Sequence, residues 1–235
     1  MKTALASLSA LVLLTACSGG TDTSTTPDPT SAPATSPVAG SSTSGGGSPT
    51  GGSAHTDASL EKLVTGITVE GKAAEVFPIA EARKSFKATP PRPVTPTACN
   101  YVLHGVTGPI SEGRPAAMAL LEGVVTISVV EMASEKDAQE LIASRDTALG
   151  ATCRAATTTV ADGSSQRIQI TQGKAQAQGL TDAKLLTGRV LADGELPPES
   201  KLLGRKGTLL VQVSAMKGRE RVIEDVTAQV VSRIR

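Results

Sequence analysis

Three stretches of the chain repeat apolar residues at the three- and four-residue steps of an amphipathic helix. They are residues 59–67, 134–149 and 219–234, and the last is the most regular, with Val or Ile at every fourth position. Asp57 or Ser59 is the predicted N-cap of the first helix, and Ser134 is that of the second. Gly150 is the predicted C-cap of the second helix. A further short helix is predicted over residues 98–106.

Five other stretches are rich in β-branched and apolar residues that alternate between two faces, as in strands. They are residues 118–132, 153–160, 166–171, 183–191 and 208–215. The Pro-rich end of segment 69–96 and the loop around Pro197 and Pro198 are predicted to lack regular structure. Hairpins of strands between separate helices, without a βαβ rhythm, indicate an α+β fold in which helices flank an antiparallel sheet.

The first apolar run, residues 4–14, follows a single lysine and is too short to span about 30 Å of hydrocarbon. It is predicted to belong to a removable signal peptide, residues 1–16. The segment Leu-Thr-Ala-Cys that ends at Cys17 resembles the lipobox of bacterial lipoproteins. This resemblance implies that the Cys17 thiol carries a diacylglyceryl group and that the chain is cut just before it. The alternative is a plain secretory signal with a chance cysteine at its end.

Residues 18–56 consist almost entirely of Ser, Thr, Gly, Pro and Ala. Such a segment buries too little apolar surface to offset its ordering entropy, so we predict a disordered tether over residues 17–56. As a flexible coil it would span roughly 35 Å. His55, near its end, is predicted to be a solvated linker residue. Residues 57–235 are long enough for a single domain with its own core.

Charge and aromatic content argue against several partners. The net charge is +1, which indicates no strong preference for nucleic acid. The chain has no Trp, one Tyr and two Phe, so stacking platforms for single-stranded nucleic acid or typical carbohydrate ligands are scarce. Five basic residues flank the last predicted strand: Arg205, Lys206, Lys217, Arg219 and Arg221. We expect them to form a solvated edge that protects the sheet, the alternative being contact with anionic headgroups or wall polymer.

Three cysteines are present, and the lipobox accounts for one of them. Cys99 and Cys153 remain as an even pair in an exported protein, so we predict that they form a disulfide. The alternative is a pair of buried free thiols. No metal site is expected, because the two cysteines are far apart in sequence and His104 is the only imidazole near either.

No catalytic pattern is found in the predicted domain. His104 is its only histidine, and polar neighbours favour a structural role over that of a catalytic base. The carboxylate pairs Glu220–Glu224 and Glu135–Glu140 lie where solvated helix faces are expected. No Gly-x-Ser-x-Gly, phosphate-loop or His-Glu-x-x-His motif occurs there. We therefore expect no enzyme activity and no cofactor.

The order of the elements resembles that of one known family. A Pro-rich approach to Cys99 precedes the longest strand, Met-Ala-Ser-Glu-Lys-Asp-Ala at 132–138 opens a helix that runs to Cys153, and a Val-rich helix closes the chain. This layout, over residues 57–235, looks like the extracellular sensor domain of some actinobacterial membrane serine/threonine kinases and lipoproteins, the PknH-like ectodomain family. The resemblance implies an antiparallel sheet flanked by helices around a cleft suspected of binding a ligand. The chain has one cysteine pair where the kinase ectodomain has two, and it lacks the family's Trp before the second cysteine.

These observations predict an actinobacterial cell-envelope lipoprotein, held by its lipid anchor on the extracytoplasmic face of the cell membrane. The first of two possible functions is a non-catalytic ligand-binding or sensor-like module for a small or lipidic ligand or an envelope protein. It requires a pocket lined mainly by apolar side chains. The alternative is a structural or protein-interaction lipoprotein without a ligand pocket. An envelope hydrolase would require a pocket in which His104 lies beside a carboxylate.

Overall fold

The computed structural model describes residues 54–89, 92–121, 123–151, 153, 155–159, 163–173, 176–191 and 198–235. The predicted signal peptide, Cys17 and the predicted tether up to residue 53 lie outside these residues, as does Pro197. None of the helices in the described ranges is long and apolar enough to cross a membrane.

The described residues contain six α-helices: α1 (Asp57–Val64), α2 (Ile79–Ala88), α3 (Asn100–His104), α4 (Thr107–Ser111), α5 (Glu135–Ala151) and α6 (Glu220–Arg233). A 3-10 turn, Thr97–Cys99, leads directly into α3. The first strands are short: β1 (Thr68–Val69), β2 (Lys72–Ala73), β3 (Glu75–Phe77) and β4 (Val94–Thr95). The longer strands are β5 (Ala116–Leu121), β6 (Val125–Glu131), β7 (Ala155–Thr159), β8 (Ser165–Gly173), β9 (Thr181–Leu191), β10 (Glu199–Lys206) and β11 (Leu209–Met216).

Nine of these strands form one antiparallel sheet in the order β3-β5-β6-β11-β10-β9-β8-β7-β4, while β1 and β2 pair separately. One row of residues that lie directly opposite one another crosses its centre: Ala119, Ile127, Val213, Leu202 and Leu185. This row belongs to the largest core, which α1 and α6 cover with their apolar stripes. The predicted α+β fold, an antiparallel sheet flanked by helices, is therefore confirmed.

The opposite face of the sheet carries two smaller cores. In the first, Leu141 and Ile142 of α5 and Ile110 of α4 pack with Val130 and Leu210 of the central strands. The second lies over β8 and β9 and contains both cysteines. The segment from the 3-10 turn through α4 is thus packed on the sheet from one side and on α5 from the other.

The described residues begin three positions before the predicted boundary at residue 57, and they contact the domain there. The carboxylate of Glu131, which is 1% exposed, accepts hydrogen bonds from the backbone N–H groups of Ala54 and His55, each at 3.0 Å. The N-cap of α1 is Thr56, and neither Asp57 nor Ser59. The Thr56 hydroxyl accepts a hydrogen bond from the N–H of Ser59, and the Ser59 hydroxyl accepts one from the N–H of Thr56. The prediction that His55 is a solvated linker residue is wrong, because it is partly buried against the domain.

The elements that the hydrophobic pattern predicted incorrectly have identifiable causes. Segment 118–132 is not one strand: Gly123, with φ of +67°, lies in a tight turn between β5 and β6. Helix α2 lies in segment 69–96, for which no helix was predicted, and it ends before the Pro-rich part of that segment. The Pro-rich part, predicted to lack regular structure, contains the two-residue strand β4. Strand β10 was not predicted, because its sequence carries four charged residues, of which Arg205 is buried and Lys201 and Lys206 are partly buried.

An irregularity between β9 and β10 is stabilised by a buried arginine. The register shifts between Leu203 and Arg205, and Asp182 opposite the shift has a φ of +55°. Arg145 of α5, which is 0% exposed, donates to the carbonyls of Leu203 at 2.6 Å and Asp182 at 2.8 Å. Its Nε also donates to the carboxylate of Asp146. The guanidinium thus satisfies two carbonyls at the irregularity and ties α5 to the sheet.

Candidate functional site

The disulfide attaches the start of α3 to the end of α5. Cys99 and Cys153 are bonded at 2.03 Å, and both are fully buried. The predicted disulfide is therefore confirmed. Because Cys99 lies one residue before α3, the bond holds this five-residue helix against the core that α5 and β8 share.

Two polar side chains of central strands hold the other end of α3. The ammonium of Lys201 on β10 donates to the carbonyl of Leu103 at 2.6 Å. The side-chain oxygen of Gln212 on β11 accepts from the N–H of Val106 at 3.2 Å. Gly105 lies between them with φ of +55° and ψ of −121°, and a Cβ there would lie 1.8 Å from the Gln212 oxygen. Only glycine permits this approach of α3 to the sheet.

A pocket of about 440 Å³ opens beside α3. Three of its lining residues belong to α3: Asn100, Tyr101 and His104. The others are Pro93 and Thr97 before that helix and Gly105 and Gly108 after it. Tyr101 is the single tyrosine of the chain and is 46% exposed. The pocket therefore presents an open aromatic ring beside an imidazole and a carboxamide.

The imidazole of His104 is held in one tautomer. Its Nε2 lies 3.0 Å from the carbonyl oxygen of Arg92, and since a carbonyl only accepts, Nε2 carries the hydrogen. Burial lowers the pKa of His104; the bond to Arg92 opposes this shift, and the positive charge of Lys201 adds to it. Near neutral pH the ring is therefore uncharged, and its Nδ1 is an acceptor. No described residue forms a hydrogen bond with that nitrogen.

The described lining of this pocket was compared with the arrangement expected of a hydrolase. The described residues that line it include no carboxylate, so the arrangement that a hydrolase would require, His104 beside a carboxylate, is not formed by them. The partner of His104 is Arg92, and not the neighbouring polar side chains on α3. An acceptor nitrogen, an amide and a phenol ring can orient a ligand without reacting with it.

A second, larger cleft of about 570 Å³ lies between α5 and strands β8 and β9. Asp146 is the one acidic residue in its described lining. One carboxylate oxygen of Asp146 accepts a hydrogen bond from Arg145 at 2.8 Å, and the other accepts one from Lys184 at 2.9 Å. Both carboxylate oxygens therefore already have cationic partners within the protein. The described lining of the pocket beside α3 holds no such ion pair and includes the exposed ring of Tyr101, and we take this pocket as the candidate site.

The carboxylates that the sequence suggested as catalytic pairs have separate local partners. Glu220 accepts from the N–H of Gly218 and from the Ser200 hydroxyl, and the backbone hydrogen bonds lower its pKa. Glu224 accepts from the N–H of Gln176. The other pair divides similarly: Glu135 pairs with Arg205 and Glu140 with Lys136. These contacts hold loops and helix ends.

The predicted basic edge does not exist as one surface. Arg205 is 9% exposed and pairs with Asp182 and Glu135, and the ammonium of Lys206 donates to the carbonyl of Ile234. Their strand, β10, has neighbours on both sides, as does β11. The interpretation as a solvated edge that protects the sheet is therefore wrong, because these strands are central and part of the charge is neutralised inside the fold.

Comparison with known proteins gives a distant similarity of fold. No protein-family model matches the chain, and a search of curated proteins finds none that matches. Among solved structures, the chain is similar to the crystal structure of the extracellular domain of PknH from Mycobacterium tuberculosis. The TM-score is 0.46 with 12% identity, and the match covers 61% of this chain and 77% of that one.

Proposed function

We propose that this protein is a non-catalytic ligand-binding module, carried on the extracytoplasmic face of the cell membrane by a lipid on Cys17. The observation that carries the binding function is the pocket beside α3, where Tyr101 and His104 meet. A ligand site needs a cavity of a few hundred Å³ with a small number of oriented polar groups. The pocket meets both conditions, and it favours this function over the alternative of a pocketless interaction protein.

The rigidity of α3 supports the same conclusion. The helix is attached by the disulfide, by Lys201, by Gln212 and by the bond between His104 and Arg92. A helix that is already fixed in place loses little freedom on binding, so more of the interaction energy appears as affinity.

The binding function can be tested with a fluorescent probe that the chain itself contains. It has no Trp and one Tyr, so its intrinsic ultraviolet fluorescence comes from Tyr101 in the pocket. We expect the full chain, purified gently from its own host, to carry a co-purifying mass in native mass spectrometry. Removal of that ligand should change the emission of Tyr101, and its return should restore it.

Substitution of the two histidines provides matched variants. His104→Leu should abolish retention of the co-purifying mass, because it removes the acceptor in the pocket, whereas His55→Leu lies outside the pocket and should retain it. A clean apo mass for the wild-type protein, together with no response of Tyr101 to cell-envelope extracts, would contradict the binding function.

The anchor is tested separately. Cys17→Ala should move the protein from the membrane fraction to the soluble fraction, while Ser18→Ala should leave it on the membrane, because only the cysteine can carry the thioether-linked lipid. Retention of the Cys17→Ala protein on membranes would reject lipidation as the cause of attachment.

A further inference from the structure

The exposed ring of Tyr101 defines one side of the candidate ligand. It lies at the mouth of the pocket with nearly half of its surface open to solvent. An aromatic ring in this position offers a flat, weakly polar surface on which another ring can stack. Because the cavity lies beside that surface, a ligand that stacks on Tyr101 must also reach the polar groups of α3.

Those polar groups match hydroxyls. Nδ1 of His104 can only accept a hydrogen bond in the neutral tautomer, Asn100 can both donate and accept, and Thr97 carries a hydroxyl of its own. A hydroxyl group on a ligand also donates and accepts, so several hydroxyls on one ring could satisfy this mixed set. A purely hydrocarbon ligand would remove these groups from water without replacing their hydrogen bonds.

The lack of charged residues in the described lining indicates the charge of the ligand. No Asp, Glu, Lys or Arg occurs among the described residues that line the pocket. The cation that acts on His104 is Lys201, which does not line the pocket and whose ammonium is already bound to the carbonyl of Leu103. The lining therefore holds no fixed charge that would recognise an anion or a cation, and a neutral ligand fits best.

From these three observations we infer that the pocket beside α3 takes a neutral, hydroxyl-bearing ring, the chemistry of a pyranose sugar unit. This inference rests on the proposed function of the pocket as a ligand site and adds the class of ligand. It revises the expectation drawn from composition that scarce aromatic residues disfavour carbohydrate. One aromatic ring is enough for a sugar to stack on when the fold places that ring at the mouth of a pocket with hydrogen-bonding groups.

The test is a titration of the full chain with methyl pyranosides and neutral disaccharides, read by Tyr101 fluorescence and by saturation-transfer NMR. Cyclohexanol is the matched ring with a single hydroxyl, and cyclohexanecarboxylate is the matched anion. We expect at least one saccharide to bind more tightly than both. Tyr101→Ala and His104→Leu should each weaken that binding at least tenfold by NMR, Tyr101→Phe should retain most of it, and His55→Leu should leave it unchanged.

The outcomes distinguish the class of ligand from the existence of a site. If no saccharide binds while another compound, or the co-purifying mass, binds in a manner that His104→Leu abolishes, the sugar inference is overturned and the binding function stands. If saccharides bind equally well to the Tyr101→Ala and His104→Leu proteins, the inference is overturned because the sugar occupies another place. If no compound affects Tyr101 and no mass co-purifies, both fail. Far-ultraviolet circular dichroism of each variant must match that of the wild type, and a variant that fails this is replaced by Asn100→Ala, for which the same loss is expected.

Discussion

Gly105→Ala is the sharpest perturbation that the candidate site offers. The glycine ends α3 in a backbone conformation with positive φ, and an added Cβ would lie 1.8 Å from the Gln212 oxygen. Two costs follow. An alanine in this region of φ/ψ space is strained by about 1–3 kcal/mol. The Gln212 side chain must also move away, and the buried N–H of Val106 then loses its acceptor.

The second cost can be estimated from the burial of the donor. An unsatisfied buried N–H destabilises the fold by about 1–3 kcal/mol. Adding the strain, Gly105→Ala should lower the free energy of unfolding by about 2–6 kcal/mol. Gln212→Ala should show only the second cost. The double variant should therefore be less destabilised than the sum of the two single variants, by about 1–3 kcal/mol, since the lost hydrogen bond is then counted once.

Urea denaturation followed by circular dichroism measures these differences. Gly108→Ala is the matched control, because it lies in the neighbouring helix α4 and a Cβ there meets nothing within 4 Å. It should be neutral or stabilise the protein by up to about 1 kcal/mol, as alanine favours a helix. A Gly105→Ala protein as stable as the wild type, or strictly additive costs in the double variant, would refute the reasoning about how α3 meets the sheet.

Three further predictions concern the fold. Cys99→Ser should lower the unfolding free energy by about 4 kcal/mol under oxidising conditions, and equal urea midpoints for the variant and the wild type would contradict this. Arg145→Leu should lower the unfolding free energy by about 3 kcal/mol or more in the same assay, because it leaves buried carbonyls unpaired. The control is Lys136→Ala, which removes an exposed ion pair and should change the unfolding free energy by less than about 1 kcal/mol. The hydrogen bond from Arg83 lowers the pKa of Asp57 below 3.8, with burial opposing it, so this pair stabilises the fold above about pH 4 and the contribution is lost as pH falls through the lowered pKa. Unfolding measured between pH 5 and pH 2 should show that loss, and Asp57→Asn should remove it; an unchanged acid profile would count against the pair.

The helices α1, α5 and α6 could be predicted because the signals that define them are local. Ser134 accepts from the N–H of Asp137, as an N-cap does, and the stripe of α6 is buried as its period indicates. The disulfide was predictable for a different reason, since a chain predicted to be exported leaves few options for two cysteines after one has been assigned to the predicted lipobox. In both cases the evidence lies within a short segment or in a simple count.

Strand β10 and the pocket could not be predicted because their evidence lies in contacts across long stretches of sequence. Arg205 was predicted to belong to a solvated basic cluster, because its partner, the carboxylate of Asp182, is not evident from the sequence. Lys201 likewise gives no sign in the sequence of its partner, the carbonyl of Leu103. Gln212 interrupts an apolar strand pattern and becomes intelligible only as the acceptor for Val106, more than one hundred positions away. Such partners leave no periodic signal. The nearest local sign was a glycine directly after the short helix, at position 105.

The attachment of α3 to the centre of the sheet has a consequence for how the protein can change over evolution. Lys201 and Gln212 stabilise the domain and at the same time position the pocket, so substitutions at these positions alter the pocket only at the expense of folding. Thr97, Asn100 and Tyr101 line the pocket, and no described side-chain hydrogen bond ties them to the sheet. Relatives with the same fold but different ligands are therefore expected to diverge at these three positions, while the glycine, lysine and glutamine beneath them remain unchanged.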